Sequence, residues 1–486
     1  SSQTEQDNRY YAKMAKVPML EPSDSQQAKD MVIAGIALSE QYRTPVLLRM
    51  TTRICHSKGV VTLGERVEVP NRPYARDIWQ YTTMPAVSRK LRVELEQRLE
   101  KLLQASNASP FNSIEWNDTK IGVVASGIGY EYAKEVFGDE VSYLRLGFTF
   151  PVPMQKIREF AAQVETLYVI EETEPFLEEH IRAVGIDCIG KDRLPGIGEL
   201  NQTIIAKAFK GIEPETIETD EAKLVARPPV LCAGCPHRGV FYELSKRKDL
   251  FISGDIGCYG LGAMPPLNSM DTCICMGASV SGGHGVAKAL AEYGIDQYAV
   301  SVIGDSTFFH SGMTSLLDVV YNRSKTVTII LDNRITGMTG HQDHPGTGYT
   351  AQGDAAREAD IQEIVRALGV EHVRTINPLR LDEMHEALDW AIGCDAPAVI
   401  ISRWPCALKR LSPKDQKEFD SLTGAYAVDT EKCIGCRKCT KTGCPAIRFD
   451  KTAHKASIDA TMCRSCRICV QVCPANAITS TQEVSQ

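Results

Sequence analysis

The sequence predicts an α/β protein, with several parallel-sheet domains followed by a small cysteine-rich domain. Three observations carry that prediction. Strand-forming runs alternate with helical runs over 120–170 and again over 250–402, which argues parallel sheets with right-handed crossovers. Two of these runs, 298–303 and 325–331, lead into Gly304-Asp305-Ser306 and Asp332-Asn333. Eight of the 17 cysteines fall between Cys433 and Cys473 in a duplicated spacing.

At 486 residues the chain exceeds a single core and should hold roughly three or four domains. Its 43% hydrophobic and 24% charged content is that of a soluble globular protein. No apolar run reaches the ~18 residues that cross a bilayer, and no signal-peptide pattern opens the chain, so a cytoplasmic protein without membrane contact is expected. A net charge of -7 argues against a nucleic-acid surface. The odd cysteine count, clustered in threes with Pro following, is a metallocluster pattern and not a disulfide framework.

Taken in order, Ser23-Asp24-Ser25-Gln26 has capping spacing before an amphipathic helix over 27–42. A strand over 45–50 then leads to a loop over 51–56. Ligands bind at the carboxyl ends of open parallel sheets, so Arg53 and His56 are the candidate catalytic or substrate contacts. A charged helix is expected over 87–104, and 105–110 reads as a linker by composition. Strands over 120–125, 141–146 and 165–170 enclose helices over 130–137 and 153–163, and the Ser126-Gly127-Ile128-Gly129 turn is structural. An acidic link over 211–223 precedes Cys232-Ala233-Gly234-Cys235-Pro236-His237. Next come a strand ending in Gly254-Asp255-Ile256-Gly257-Cys258, a helix over 279–293, the Asp305 strand, a helix over 312–321 and the Asn333 strand. Two further helix-strand pairs close at Trp404-Pro405-Cys406. Domain boundaries fall at 1–118, 119–222, 223–422 and 423–486.

The helix between Asp305 and Asn333 presents free N–H groups and a positive dipole end, which suits a diphosphate. Oxygens of Asp305 and Asn333, from adjacent strand ends, suit Mg²⁺, a hard cation held by few protein oxygens plus phosphate oxygens. In the tail, Cys433-x2-Cys436-x2-Cys439-x4-Cys444-Pro445 and Cys463-x2-Cys466-x2-Cys469-x3-Cys473-Pro474 repeat a bacterial ferredoxin pattern. Such spacing wraps three corners of a cubane while the fourth cysteine crosses to the other cluster. One 4Fe-4S cluster is thus expected on Cys433, Cys436, Cys439 and Cys473, the other on Cys463, Cys466, Cys469 and Cys444. The first repeat carries one residue more than the usual spacing. Paired zinc sites are disfavoured because zinc needs neither the third cysteine nor Cys-Pro. Over 424–486 nine Lys/Arg stand against five Asp/Glu, which fits a relay that receives an acidic partner. A third cluster is expected on Cys232, Cys235, Cys258 and Cys406, with Cys273 and Cys275 as substitutes; a structural zinc or buried free thiols remain the alternative there.

Gly304-Asp305-Ser306, Asn333 and the run from Leu331 to Gln342 (LDNRITGMTGHQ) resemble the cofactor signature of the 2-oxoacid:ferredoxin oxidoreductases, with Ser306 in place of the commoner Gly. The resemblance implies thiamine diphosphate, with Mg²⁺ on Asp305, Asn333 and the Ile335 carbonyl, and with Gly304, Ser306 and Thr339 about the cofactor. It implies several parallel-sheet thiamine-enzyme-type domains plus a C-terminal two-cluster ferredoxin-like domain. These are the remainder of a pyrimidine-binding domain with a linker, a transketolase C-terminal-like domain, the thiamine diphosphate-binding domain and the cluster domain. The opening Ser1-Ser2-Gln3 would fall inside the first of these, so the cofactor-activating Glu is expected in a preceding portion or in the neighbouring subunit. Related enzymes carry a quartet like Cys232, Cys235, Cys258 and Cys406 beside the thiamine. The order of parts is similar to the large (alpha) subunits of the indolepyruvate:ferredoxin oxidoreductases. That implies CoA-dependent oxidative decarboxylation of aryl 2-oxoacids, a small beta subunit and ferredoxin as acceptor. Pyruvate or branched-chain substrates, or an electron-transfer subunit with a degenerate thiamine site, are the alternatives.

Overall fold

β-branched runs punctuated by glycine and proline form the strands, and the computed structural model gathers them into two compact units, Ser1–Glu221 and Ala222–Gln486. It describes residues 5–66, 68, 73–213, 215, 217, 219–220, 223–225 and 227–481. The opening residues 1–4 and part of the acidic link over 211–223 lie outside the described residues.

The first unit holds β1 (Met19–Leu20), β2 (Leu47–Leu48), β3 (Asn112–Glu115), β4 (Ile121–Ser126), β5 (Ser142–Leu146), β6 (Phe148–Phe150) and β7 (Thr166–Ile170). One sheet runs β3-β5-β4-β7, with β4 parallel to both neighbours and β3 antiparallel at the edge. β4 is apolar on both faces, as a central parallel strand covered by helices must be. A small sheet runs β2-β1-β6.

Three expectations change here. The strand over 45–50 shrinks to β2, and the loop after it is a short helix, Thr52–His56. The linker over 105–110 is mostly the last turn of a long helix, Pro85–Ala108. Its small polar residues are buried because they are bonded internally: Ser106 Oγ donates to Phe148 O (3.1 Å), and Asn112 Nδ2 donates to Ser106 O (2.8 Å) and Phe148 O (3.0 Å). Polar composition marks a loop only where water is the partner.

Arg9 ties the opening helix, Arg9–Ala15, to the carboxyl end of β7. It is 1% exposed, and its Nη1 lies 2.5 Å from Glu171 Oε2. Nη2 donates to the carbonyls of Glu172 (2.9 Å) and Glu174 (2.8 Å). Glu171 in turn accepts the Leu177 and Glu178 N–H groups at the start of helix Phe176–Ala183. Beside this pair opens a cleft of about 720 Å³ lined by Asn8, Arg49, Arg53, Glu172, Thr173 and Glu199.

The second unit contains β8 (Leu250–Gly254), β9 (Thr272–Cys273), β10 (Tyr298–Gly304), β11 (Val327–Asp332), β12 (His372–Ile376) and β13 (Ala398–Arg403) in one parallel sheet, ordered β12-β13-β11-β10-β8-β9. Val300, Val302, Ile329 and Leu331 are buried on one side and Ile303 and Ile330 on the other. The helix after β10 starts seven residues earlier than the expected start at 312, at Asp305: Asp305–Thr307 continues through a π-helical turn, Phe308–Gly312, into Met313–Tyr321. Gly312 permits this approach, because a Cβ there would stand 2.7 Å from Ile303 Cδ1. π-turns of this kind insert a residue without ending the helix.

The cysteine-rich tail folds around two antiparallel pairs, β14 (Tyr426–Val428) with β17 (Ile478–Ser480) and β15 (Ile447–Asp450) with β16 (Lys455–Ile458). It packs on the large sheet's helices through Leu379, Leu381 and Ile468, and Gln471 Nε2 donates to Leu379 O (2.7 Å).

Replacing Arg9 by Ala strands Glu171 as a buried charge and should cost the first unit about 3–5 kcal/mol. Adding Glu171→Gln should restore part of that loss. Urea unfolding checks both, and an unchanged midpoint in Arg9→Ala would show the pair to be dispensable.

Candidate active site and cysteine relay

Parallel register places Gly304 beside Leu331, so Asp305 and Asn333 emerge from neighbouring strand ends. Asp305 Oδ1 accepts the Ser306 N–H (2.7 Å), and Oδ2 accepts the Arg334 N–H (2.9 Å) and lies 3.1 Å from His344 Nε2. One terminal amide atom of Asn333 lies 2.6 Å from Ile335 O and 3.3 Å from Asp305 Oδ2, while the other lies 3.2 Å from His237 Nε2. Burial drives the His237 pKa down to about 4, so its ring is neutral. A neutral Nε2 that accepts the Asn333 N–H turns Asn333 Oδ1 toward Ile335 O and Asp305 Oδ2. Three oxygens then face one another with no proton between them, a donor set that fits a hard cation. With the ring proton on Nε2 the amide reverses, and its NH₂ bonds the same oxygens. Cation and imidazole tautomer thus select opposite orientations of one side chain.

Neighbouring groups hold this turn. A Cβ at Gly304 would meet the Tyr259 ring at 2.5 Å, so only glycine fits there. Ser306 sends its hydroxyl sideways, where Oγ accepts from Thr336 Oγ1 (2.9 Å). Arg334, buried with φ +63°, pairs with Glu358 (2.6 Å) and Asp415 (3.3 Å) and donates to Gly346 O (2.8 Å). These bonds offset the strain of a left-handed non-glycine residue. Burial, then the Asp305 charge, push the Asp332 carboxyl up to about 7. Thr339 is exposed, its Oγ1 donating to Gln342 Oε1 (2.6 Å) within its own turn.

His237, His344, Arg334 and Asp255 were not singled out as site residues by sequence reasoning. Asp255, wholly buried, accepts the N–H groups of Ile256 (2.8 Å), Gly277 (2.9 Å) and Ser279 (3.0 Å) and so starts helix Ala278–Glu292. Its signal was an Asp at a strand end, the same as that of Asp305.

Cys232, Cys235, Cys258 and Cys406 come together next to Asn333. The Cys235 N–H donates to Cys232 O (3.1 Å) around Gly234 at φ +76°. Cys258 opens a 3-10 turn, Cys258–Ala263, four residues beyond β8 instead of ending the strand. The Cys406 N–H donates to Asn333 O (2.9 Å), and a Cβ at Gly337 would lie 3.7 Å from Cys258 Sγ and 3.9 Å from Asn333 Nδ2. Burial raises the Cys235 thiol to about 12, Arg238 opposes that shift, and Cys406 and Cys232 add to it. Cys273 turns away from this group, toward Asp255 O (3.5 Å), and Cys275 is exposed.

In the tail Cys433, Cys436, Cys439 and Cys473 line one small cavity. Burial, then Cys466, Cys444, Cys463 and Cys439 nearby, raise the Cys469 thiol. The additional residue of the first repeat is absorbed in a 3-10 turn, Cys439–Thr442, closed by Gly443 at φ +68°. A groove of about 1020 Å³ beside Cys473 is lined by Lys246, Lys248, Lys438 and Lys441.

In the first unit Arg53 lines the cleft and pairs with Glu199 (2.6 Å). His56 is exposed, its Nδ1 on Thr52 O (2.9 Å) of the same helical turn, and is not among the residues lining the cleft.

Residues 255–402 match the C-terminal TPP-binding domain of thiamine pyrophosphate enzymes, and 425–478 match the 4Fe-4S dicluster domain. The indolepyruvate oxidoreductase subunit IorA of Archaeoglobus fulgidus is 40% identical over 98% of this chain and 79% of that protein. Its namesakes in Methanothermobacter thermautotrophicus and Pyrococcus horikoshii are 39% and 38% identical, over 98% and 99% of this chain and 79% and 80% of theirs. No helix among the described residues is long and apolar enough to cross a membrane. With such identity along nearly its whole length, the chain belongs to the indolepyruvate oxidoreductase IorA family and is a subunit of a thiamine diphosphate-dependent 2-oxoacid oxidoreductase with an iron-sulfur domain.

Proposed function

We propose that this subunit carries out CoA-dependent oxidative decarboxylation of aryl 2-oxoacids of the indolepyruvate kind, together with a small beta subunit and with ferredoxin as acceptor. The reaction converts 2-oxoacid and CoA to acyl-CoA and CO₂, releasing two electrons and one proton. The observation that supports this reading is the arrangement of the second unit: Asp305, Asn333 and Ile335 O meet at one strand-end site, Cys406 bonds Asn333 O beside Cys232, Cys235 and Cys258, and the tail carries two further cysteine sets. The relatives' name supports the aryl substrate.

Bound thiamine diphosphate supplies the electron sink for decarboxylation. Asp305, Asn333 and Ile335 O would hold its Mg²⁺, with His237 bonded to the Asn333 amide. Cys232, Cys235, Cys258 and Cys406 would hold a cluster that supplies a one-electron acceptor beside that site. Cys444, Cys463, Cys466 and Cys469 hold the second cluster, and Cys433, Cys436, Cys439 and Cys473 the third. The lysine groove beside Cys473 suits an acidic acceptor protein. Intact oxygens at Asp305, Asn333 and Ile335 favour an active thiamine site over a degenerate one.

Assayed with CoA and oxidised ferredoxin, the purified complex should turn over indolepyruvate and other aryl pyruvates with higher kcat/KM than pyruvate or branched-chain 2-oxoacids. A preference for pyruvate would overturn the substrate assignment.

Asp305→Ala should abolish retention of thiamine diphosphate through gel filtration, read by fluorescence of its oxidation product. Full occupancy in that variant sinks the assignment of Asp305.

Iron analysis should give about twelve irons per chain, from three four-iron clusters. Cys232→Ala with Cys235→Ala should retain about eight. A wild-type chain holding only about eight would leave the tail as the whole relay.

A further inference from the structure

Arg238, on helix His237–Leu244, is 1% exposed, and among the described residues no carboxylate pairs with it. A buried guanidinium without a counter-charge is costly, and a folded protein does not keep one unless an anion is near. Its hydrogen bonds lie in two cysteine-bearing turns. Nη2 donates to Leu231 O (2.6 Å) and Cys232 O (2.8 Å) in the turn that carries Cys232 and Cys235. Nη1 donates to Thr442 O (2.7 Å), two residues before Cys444, and a Cβ at Gly443 would lie 3.4 Å from the same nitrogen. Its Nε–H, also buried, has no acceptor among the described residues. The Cys232–Cys235 turn and the second cysteine repeat touch directly, since a Cβ at Gly234 would stand 2.5 Å from Arg464 Cβ. The charge of Arg238 reaches Cys235 on one side and Cys466 on the other.

We propose that Arg238 is the counter-charge shared by the cluster on Cys232, Cys235, Cys258 and Cys406 and the cluster on Cys444, Cys463, Cys466 and Cys469. This rests on the ligand sets proposed above. A thiolate-held cluster is an anion, and one-electron reduction makes it more negative, so a fixed cation beside it favours the reduced form. Arg238 therefore raises the reduction potential of both clusters. Arg238 is a positioning residue, because it acts through the clusters and does not touch substrate.

The test is an EPR-monitored redox titration of the purified complex, with iron content measured alongside. Arg238→Gln should shift two of the three couples about tenfold toward the oxidised form, a fall of about 59 mV for a one-electron couple. The couple of the Cys433, Cys436, Cys439 and Cys473 cluster should not move, and Arg238→Lys should stay near wild type. Unshifted potentials in Arg238→Gln overturn the proposal. Equal falls in the Gln and Lys variants also overturn it, since they mark lost packing instead of lost charge. If wild type holds only about eight irons, the quartet reading fails separately, and Arg238 is judged on the one shifted tail couple. Should Arg238→Gln fail to load iron, Arg238→Met is titrated in its place: the same two couples should fall about tenfold toward the oxidised form, and unshifted potentials overturn the proposal.

Discussion

The parallel register of β10 and β11 is the constraint on which the rest of the second unit depends. Pairing Gly304 with Leu331 sets Asp305 and Asn333 side by side at strand ends, where a parallel sheet leaves backbone groups free. The remaining features hold those two residues in place. His237 bonds the Asn333 amide, Arg334 anchors the turn, and Tyr259 fills the space above Gly304. Slipping the register by one residue would turn every side chain of the strand to the opposite face and separate the oxygens.

Contact between the α/β domain and the tail follows from the same geometry. The loop after β13 returns to Asn333 through the Cys406 N–H, and the Cys232–Cys235 turn opens the helix that carries both His237 and Arg238. One side chain of that helix faces the cation-fitting oxygens and the next faces the tail. Chemistry at Asn333 and charge at the tail are thus linked through a single rigid helix. Gly239 belongs to that helix too, and a Cβ there would stand 1.9 Å from Pro378 O, so the helix lies hard against the neighbouring chain.

A buried charge carries different information in the two units. In the first, Arg9 is matched by Asp7 and Glu171, and the balance lies within the protein. In the second, among the described residues Arg238 is bonded to carbonyls alone, which orient a guanidinium without neutralising it.

The sequence by itself determined what is local. Cysteines with two residues between them wrap a cluster because a chelate closes within one turn of chain, and the iron-sulfur domain of the tail was legible from that spacing. Asp305 and Asn333 were legible because each directly follows a run of strand formers. The structure alone decided what depends on distant contacts. His237 meets Asn333 across a loop whose length carries no spacing signal, and Cys232 and Cys406, grouped in the sequence without local spacing, are brought to Asn333 only by the fold. The apparent linker over 105–110 became helix because its serine and asparagine partners arrive from Asn112 and Phe148. Arg238 reads in sequence as an ordinary helical arginine. Only folding removes it from water and sets it between two cysteine turns, with no carboxylate paired to it among the described residues, because burial and pairing of a charge are properties of the packed chain.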